Sequence, residues 1–337
     1  MKRLGLYAGL SVVLFLIGFS LARNAQARVE TVRHTQVMMG TLVDIQVRES
    51  DRAKGEQAIA AAFAEMRRVE RLFSTTEQGE VWALNHNPQE SVEVGADLLY
   101  VISSSDAMWR MSAGAFDAGM NNLIDLWGFG TETQGVPAPA ALEAARQASG
   151  WSSVRLEENR IVRPPGLGLN FGGIAIGYAV DRAIVILQEH GIGSALVNAG
   201  GEIRTLGSGW VIGIQHPRRA NQIMARIRPG ELAVATSGDY EKYFEVDGQR
   251  YHHLLDPHTG FPFRGVQSVT ILAPTCTDAD GLSTAVFVLG VQHGLALIET
   301  LADTEAFLVD ENGVVHMSSG FEQYLVEREL ESEWTQR

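Results

Sequence analysis

The chain has 337 residues, 45% of them apolar, with 40 acidic and 27 basic side chains, a formal net charge of −13 and one cysteine. The apolar fraction supports a packed core in one large domain or two and excludes wholesale disorder. One cysteine excludes an internal disulfide, a Cys-rich zinc site and an iron–sulfur cluster, and the acidic balance argues against nucleic acid as the main partner, because phosphates call for a basic face.

Residues 1–27 read as an export signal or an N-terminal membrane anchor. Lys2 and Arg3 precede an uncharged run from Leu4 to Ala22, and Ala25-Gln26-Ala27 supplies a small-residue cleavage pattern. The expected location is therefore the periplasm, either soluble after cleavage or held at the inner membrane. Without this segment the remainder carries 24 basic against 40 acidic side chains, or −16. No cysteine lies near it, so a lipid anchor on an N-terminal Cys is excluded, and the lone Cys276 reads as a small buried residue.

Residues 28–337 form the body of the chain. A strand-like piece comes first, near Thr35–Arg48. Residues 53–73 carry Ile59, Ala62, Phe63, Met66, Val69 and Phe73 at helical spacing. Further helices are predicted at 97–112 and 138–149, a hairpin over Trp151–Arg163, and a helix over Ile174–His190 closed by Gly191. Short strands follow at 194–198, 202–206, 210–215, 224–228 and 232–236. Phe244–Val246 and Arg250–Leu255 flank an Asp247-Gly248 hairpin turn, and Ser268–Ala273 is another strand. Helices at 278–289 and 291–302 precede a closing strand pair at 305–309 and 314–317. Strands and helices mix without regular βαβ alternation, which predicts an α+β fold with mixed, largely antiparallel sheets and packed helices. The Gly/Pro-rich stretch 128–139 is the candidate junction or lid.

Five segments can carry chemistry. In Ser237–Gly260, His252 and His253 precede the polar turn Asp256-Pro257-His258-Thr259-Gly260. On a strand the two rings point to opposite faces, so at most one serves a given site; His253, closer to the turn, is the candidate general base, against the plainer reading of a surface or satisfied core histidine. In Thr275–Ala285, Asp280 and Thr284 are four apart on one helical face, and their oxygens suit a hard cation such as Mg²⁺; the residues alone favour the plainer reading, that Asp278 or Asp280 caps the helix. The Gly-rich turn Asn170–Asp181 either cradles a phosphate or merely packs closely. Asn198–Glu202 reads as a strand-ending glycine turn. Gly114–Asp117 with Leu126–Gly130 presents aromatics for a flat ligand or for a core cluster.

Taken in order, Met39-Gly40-Thr41, FSTTEQGEVWALN (73–85), GAFD (114–117), LWGFG (126–130), GGIAIGYAVD, NAGGEI, SGDYEKYF, HHLLDPHTG, DADGLSTA and Val288-Leu289-Gly290 resemble the ApbE family of flavin transferases. The resemblance implies a T-fold-related α+β architecture of two interleaved subdomains. It implies Mg²⁺-dependent transfer of FMN from FAD to a threonine or serine hydroxyl of an exported or membrane-bound redox protein, with release of AMP. Acceptors in the family belong to Nqr-, Rnf- or NosR-type electron-transfer systems. Asp280 and Thr284 match the family's metal ligands, with Ser283 beside them and Gly173 at the position giving a backbone carbonyl. Met39, Ala115, Phe116, Asp117, Asn170, Ile176 and Leu255 match flavin-nucleotide contacts, and His253 matches the histidine that activates the acceptor hydroxyl. The chain departs from the pattern at Asn170 (usually Asp), Ile176 (usually Lys), Ala118-Gly119 (often Pro-Thr) and Glu202 (usually Asp). Together these departures suggest a divergent subgroup with weaker or altered FAD binding, of which a NosX-like member is one example. Two further readings stay open: an FAD pyrophosphatase giving FMN and AMP, as in some relatives, and a non-catalytic flavin-binding assembly factor that lost turnover with the Asp/Lys pair.

Overall fold

A computed structural model of the chain describes residues 29–76 and 79–328; the predicted export segment lies outside them. The described chain enters on a hairpin, β1 (Glu30–Met38) and β2 (Thr41–Glu49), paired along its whole length. Met39 and Gly40 both take positive φ, 53° and 74°, which is the type I′ geometry that matches strand twist. From sequence a single strand is expected here, because Met-Gly lacks the Asn-Gly or Asp-Gly signature of that turn.

Next comes α1 (Arg52–Phe73), opened by Asp51, whose side chain accepts the Ala53 and Lys54 N–H groups. The chain continues through α2 (Glu80–His86), β3 (Ser91–Glu93), α3 (Ala96–Met111), α4 (Asn121–Trp127), α5 (Pro139–Gln147), β4 (Arg155–Glu157), β5 (Arg160–Val162) and α6 (Ala175–Glu189). Then follow β6 (Ala195–Ala199), β7 (Glu202–Leu206), β8 (Ile212–Gln215), β9 (Ile223–Ile227), β10 (Ala233–Gly238), β11 (Tyr243–Val246), β12 (Gln249–His252) and β13 (Val266–Ala273). The last elements are α7 (Cys276–Ile298), β14 (Glu305–Asp310), β15 (Val315–Met317) and β16 (Leu325–Arg328). The predicted elements form close to their expected bounds. The short α2 and α4 were not predicted; seven residues are too few for a periodic signal. The two helices expected at 278–289 and 291–302 run as α7, broken at Gly290 (φ 72°, ψ 179°) and ending earlier, at Ile298.

Eight strands make one sheet in the order β1-β2-β6-β7-β10-β13-β14-β15, all its described pairings antiparallel. The fold is α+β, as expected. All eight residues of β13 are buried, so both faces of the sheet are covered at its centre. Val269, Ile271 and Ala273 point into the main core with α1, α6 and α7, while Leu272 points the other way, into a second core. There the small sheet β16-β9-β8 and Trp210, Phe307 and Phe321 close the opposite face. Helix α7 is long and apolar enough to cross a membrane, but half of its apolar window is buried inside the molecule and Gly290 breaks it, as suits a core helix.

A third, smaller core forms around Trp127 from two distant segments. Met120, Leu123 and Leu142 pack with Leu255, and Phe244 and Tyr251 of the β11–β12 hairpin join them. Trp127 is fully buried, and its indole N–H donates to the Gly260 carbonyl at 2.8 Å. The core reading of this aromatic cluster is therefore the right one for Trp127. The loop 128–138 turns back on the same core: Phe129 stacks on Trp127 at 5.5 Å and Gly135 N–H donates to the Trp127 carbonyl. It joins α4 to α5 within this small core.

Candidate functional site

At the end of the large sheet, between the main core and the Trp127 core, lies a cavity of about 270 Å³. Segments far apart in sequence line it: Ala115–Asp117, Asn170–Ile176, Glu202, Thr236–Ser237, Glu241–Lys242, His253–Leu255, and Asp280 with Thr284.

The wall built by α7 depends on how that helix starts. Thr275 is its cap: the hydroxyl accepts the Asp278 N–H at 3.0 Å and donates to the Asp278 carboxylate at 2.6 Å. Neither Asp278 nor Asp280 is the cap, so the capping reading of Asp280 fails. Asp280 is instead 4% exposed and sits one turn in, with Thr284 following on the same face toward the cavity. Its Oδ2 accepts the Gly177 N–H of α6 at 2.9 Å. That contact requires α6 and α7 to touch at backbone level: a Cβ on Gly177 would fall on the Cys276 carbonyl oxygen. Asp181 fastens the same junction, accepting the Cys276 and Thr277 N–H groups at 2.9 Å and pairing with Arg204. Gly177→Ala is expected to destabilise the protein by about 2–4 kcal/mol, read as a lower urea midpoint, because neither backbone can yield without opening the junction.

The wall at the α6 N-terminus is a set of backbone staples. Asn170 Oδ1 accepts the Gly172 N–H at 2.9 Å, its backbone N–H donates to the Ala118 carbonyl at 2.8 Å, and its amide reaches Asn121. Asp117 accepts the Gly119 N–H at 2.7 Å and the Trp151 N–H at 3.0 Å. The glycine at 119 has a physical reason, since a Cβ there would stand 2.7 Å from the Gly150 carbonyl carbon. Asn85 supports the loop from behind, exchanging two 2.8 Å hydrogen bonds with the Leu169 backbone. Gly173 faces Thr284: an added Cβ would come 3.0 Å from the Thr284 hydroxyl.

His252 and His253 part company, but not by alternation along one strand: the strand expected to run to Leu255 ends at His252, and His253 stands in the bend that follows. His252 is buried against Phe287, its Nε2 on the Phe263 carbonyl at 2.8 Å. His253 lines the cavity; its backbone N–H donates to the Lys242 carbonyl at 3.0 Å, and its Nδ1 is buried without a hydrogen-bond partner. Burial, with Lys242 and His252 nearby, pushes its pKa down to about 3. The neighbouring Asp256 does not orient the ring; its carboxylate closes its own turn on the His258 N–H and the Thr259 hydroxyl. A ring held neutral in the folded state titrates near pH 6.5 when unfolded, so its contribution to stability is whole above that value and lost as pH falls toward 3. At pH 5 the wild type is expected to lose about 1–2 kcal/mol more, relative to pH 7, than His253→Gln in paired urea titrations.

Ten of the twelve residues singled out above line this one cavity: Ala115, Phe116, Asp117, Asn170, Gly173, Ile176, His253, Leu255, Asp280 and Thr284. Met39 and Ser283 do not. Met39 is in the β1–β2 turn, its N–H on Glu70 and its side chain against the main core. Ser283 is fully buried, bonded to the Ser237 hydroxyl at 2.7 Å and the Asp280 carbonyl at 2.8 Å. The structure adds Glu202, Thr236, Glu241 and Lys242, which the sequence reading did not single out as site residues. Burial and mutual repulsion with Asp280 and Glu241 push Glu202 well above the usual carboxylate range, and burial raises Asp280 as well. Glu241, although open to the cavity's solvent, is pushed up to about 7 by the surrounding protein. Cys276 is buried with its thiol pKa raised, an inert core residue as expected.

The model of the ApbE family matches residues 39–308. An FAD:protein FMN transferase of Treponema pallidum is 31% identical over 325 residues, covering 88% of this chain and 89% of the relative. One from Vibrio cholerae is 36% identical over 252 residues, covering 71% and 75%. Among solved structures, the ApbE protein from Thermotoga maritima superposes with a TM-score of 0.83 at 35% identity, over 88% of this chain and all of that one. The flavin transferase ApbE from Vibrio cholerae gives 0.79 at 31% identity, with the same coverage.

Proposed function

The chain belongs to the ApbE family, and on that premise we propose that it transfers FMN from FAD to a threonine or serine hydroxyl of a partner protein, releasing AMP. The observation that carries the reading is the convergence of Asp280, Thr284, His253 and Lys242 on one cavity from segments distant in the chain.

The donor set suits Mg²⁺. Asp280, Thr284 and the Gly173 backbone offer hard oxygen ligands, and the crowding of Asp280 with Glu202 and Glu241 raises carboxylate pKa values in a way that a divalent cation would relieve. Mg²⁺ takes few protein ligands and is completed by phosphates and water, so a set of three oxygen donors is enough. Bound there, Mg²⁺ would offset negative charge on the phosphate oxygens.

The chain's own residues do the rest. His253 is neutral, and with Nδ1 buried it takes the proton from the acceptor hydroxyl at Nε2, the ring nitrogen left open on the cavity side. The hydroxyl oxygen forms a bond to the FMN-side phosphorus, the bond from that phosphorus to the bridging oxygen breaks, and AMP leaves with that oxygen. The buried walls formed by Phe116, Leu254 and Leu255 limit water at the reacting phosphorus. The charge pattern and apolar run of residues 1–27 support an exported or membrane-held enzyme whose acceptor is a redox protein of Nqr, Rnf or NosR type.

The test mixes purified protein, FAD, Mg²⁺ and a domain carrying an acceptor threonine. The reading requires a covalent, fluorescent acceptor and one AMP per flavin transferred. AMP and free FMN formed at the same rate with or without acceptor would make the protein a pyrophosphatase instead. FAD binding without AMP release would leave an assembly factor.

A further inference from the structure

The charge balance of the cavity singles out one residue beyond those matched by family pattern. Among the described residues the lining holds four carboxylates, Asp117, Glu202, Glu241 and Asp280, and Lys242 is its one permanent cation. A pyrophosphate entering there adds more negative charge to an already acidic wall. The helix end at Ala175 and the Gly172–Gly173 backbone offset part of it, but Ile176, which faces the same space, offers nothing.

Lys242 is placed for the task. It lies between β10 and β11, where its carbonyl accepts the His253 N–H at 3.0 Å. It lines the cavity, and its Nζ stands 3.9 Å from where a Cβ on Gly40 would be, so the side chain extends toward the β1–β2 turn. Among the described residues the ammonium is in no ion pair. Its field reaches Glu202, Glu241 and His253, which surround the same space.

We propose that Lys242 is the phosphate-binding cation of this site: its ammonium holds the pyrophosphate of the FAD donor while its backbone carbonyl holds the main chain of His253. The assignment rests on reading the cavity as the FAD site. It makes one residue set both partners of the reaction, the donor phosphate through the side chain and the base through the backbone. Only the first of these functions is lost on truncating the side chain.

The experiment titrates FAD and riboflavin, which has no phosphate, into the protein with Mg²⁺ present, followed by flavin fluorescence at two salt concentrations. The variants are Lys242→Ala, Lys242→Arg and the double variant Lys242→Ala with Ile176→Lys. Lys242→Ala is expected to weaken FAD about tenfold or more and to flatten the salt dependence, with riboflavin affinity unchanged. Lys242→Arg keeps most of the affinity, and Ile176→Lys restores part of what Lys242→Ala loses, since it returns an ammonium to the same cavity from the α6 wall. FAD affinity of Lys242→Ala within twofold of wild type overturns the assignment, as does an equal loss for riboflavin, which would mark a structural role. Wild-type protein that binds no FAD at all sinks the functional reading itself.

Discussion

Asp280→Asn is expected to lower flavin transfer by a factor of about 10³ or more while leaving the fold intact. The substitution keeps the shape, and an amide oxygen can still accept the Gly177 N–H that Asp280 Oδ2 accepts at 2.9 Å. The charge alone is removed. In the metal-free protein that charge is a burden: Asp280 is 4% exposed and faces Glu202 and Glu241, so its neutral isostere should melt at the same temperature or slightly higher. The same substitution removes the only acidic ligand in the set formed with Thr284 and Gly173. Loss of activity with gain of stability is the signature of a group kept for chemistry at the expense of folding. Asp280→Ala behaves differently. It leaves the Gly177 N–H without its partner and is expected to cost about 1–3 kcal/mol as well as the activity. Thermal melts with and without Mg²⁺, beside AMP release rates, separate the two variants. Transfer by Asp280→Asn at more than a tenth of the wild-type rate would remove the metal from the proposed mechanism.

The parts of this site legible in the sequence are those set by local geometry. Asp280 and Thr284 share a face because four residues make about one helical turn. Asp247-Gly248 makes its hairpin because both residues tolerate positive φ, 51° and 74° here, and the two histidines part where that hairpin ends, His252 closing β12 and His253 in the bend beyond it. The parts that stayed hidden are set by tertiary approach. Glu202 follows the glycine turn between β6 and β7, Glu241 and Lys242 follow β10, and only the order of the large sheet brings them to the Asp280 wall. Ser283 is the converse case. It neighbours the metal pair in sequence, yet it is fully buried with its hydroxyl bonded to that of Ser237 of β10. Met39 likewise belongs to a turn that a Met-Gly pair does not announce. Ile176 stands where the family pattern has a Lys; the fold places Lys242 on the same cavity, where a reading confined to one motif would not find it.

His253→Gln is expected to reduce the transfer rate by about 10²–10⁴ while FAD affinity changes little. The backbone N–H that donates to the Lys242 carbonyl survives, and the buried Leu254 and Leu255 keep the segment in place, so the loss should fall on kcat. The depressed pKa of this histidine, about 3, carries a further consequence for the pH profile. In the empty cavity the ring is neutral across the whole working range, always able to accept a proton but a weak base. An arriving pyrophosphate places negative charge beside it and raises its basicity, because charge nearby stabilises the imidazolium. Base strength is then supplied by the donor substrate. kcat/KM, which reports the free enzyme, should show no histidine limb between pH 5 and 7, whereas kcat, which reports the loaded enzyme, should show one at higher pH. With water in place of the acceptor hydroxyl the same order holds, so the profile tests the base independently of the acceptor's identity. A kcat/KM limb near 6.5 that disappears in His253→Gln would mean a solvated imidazole in the free enzyme, and the buried, substrate-activated base would have to be abandoned.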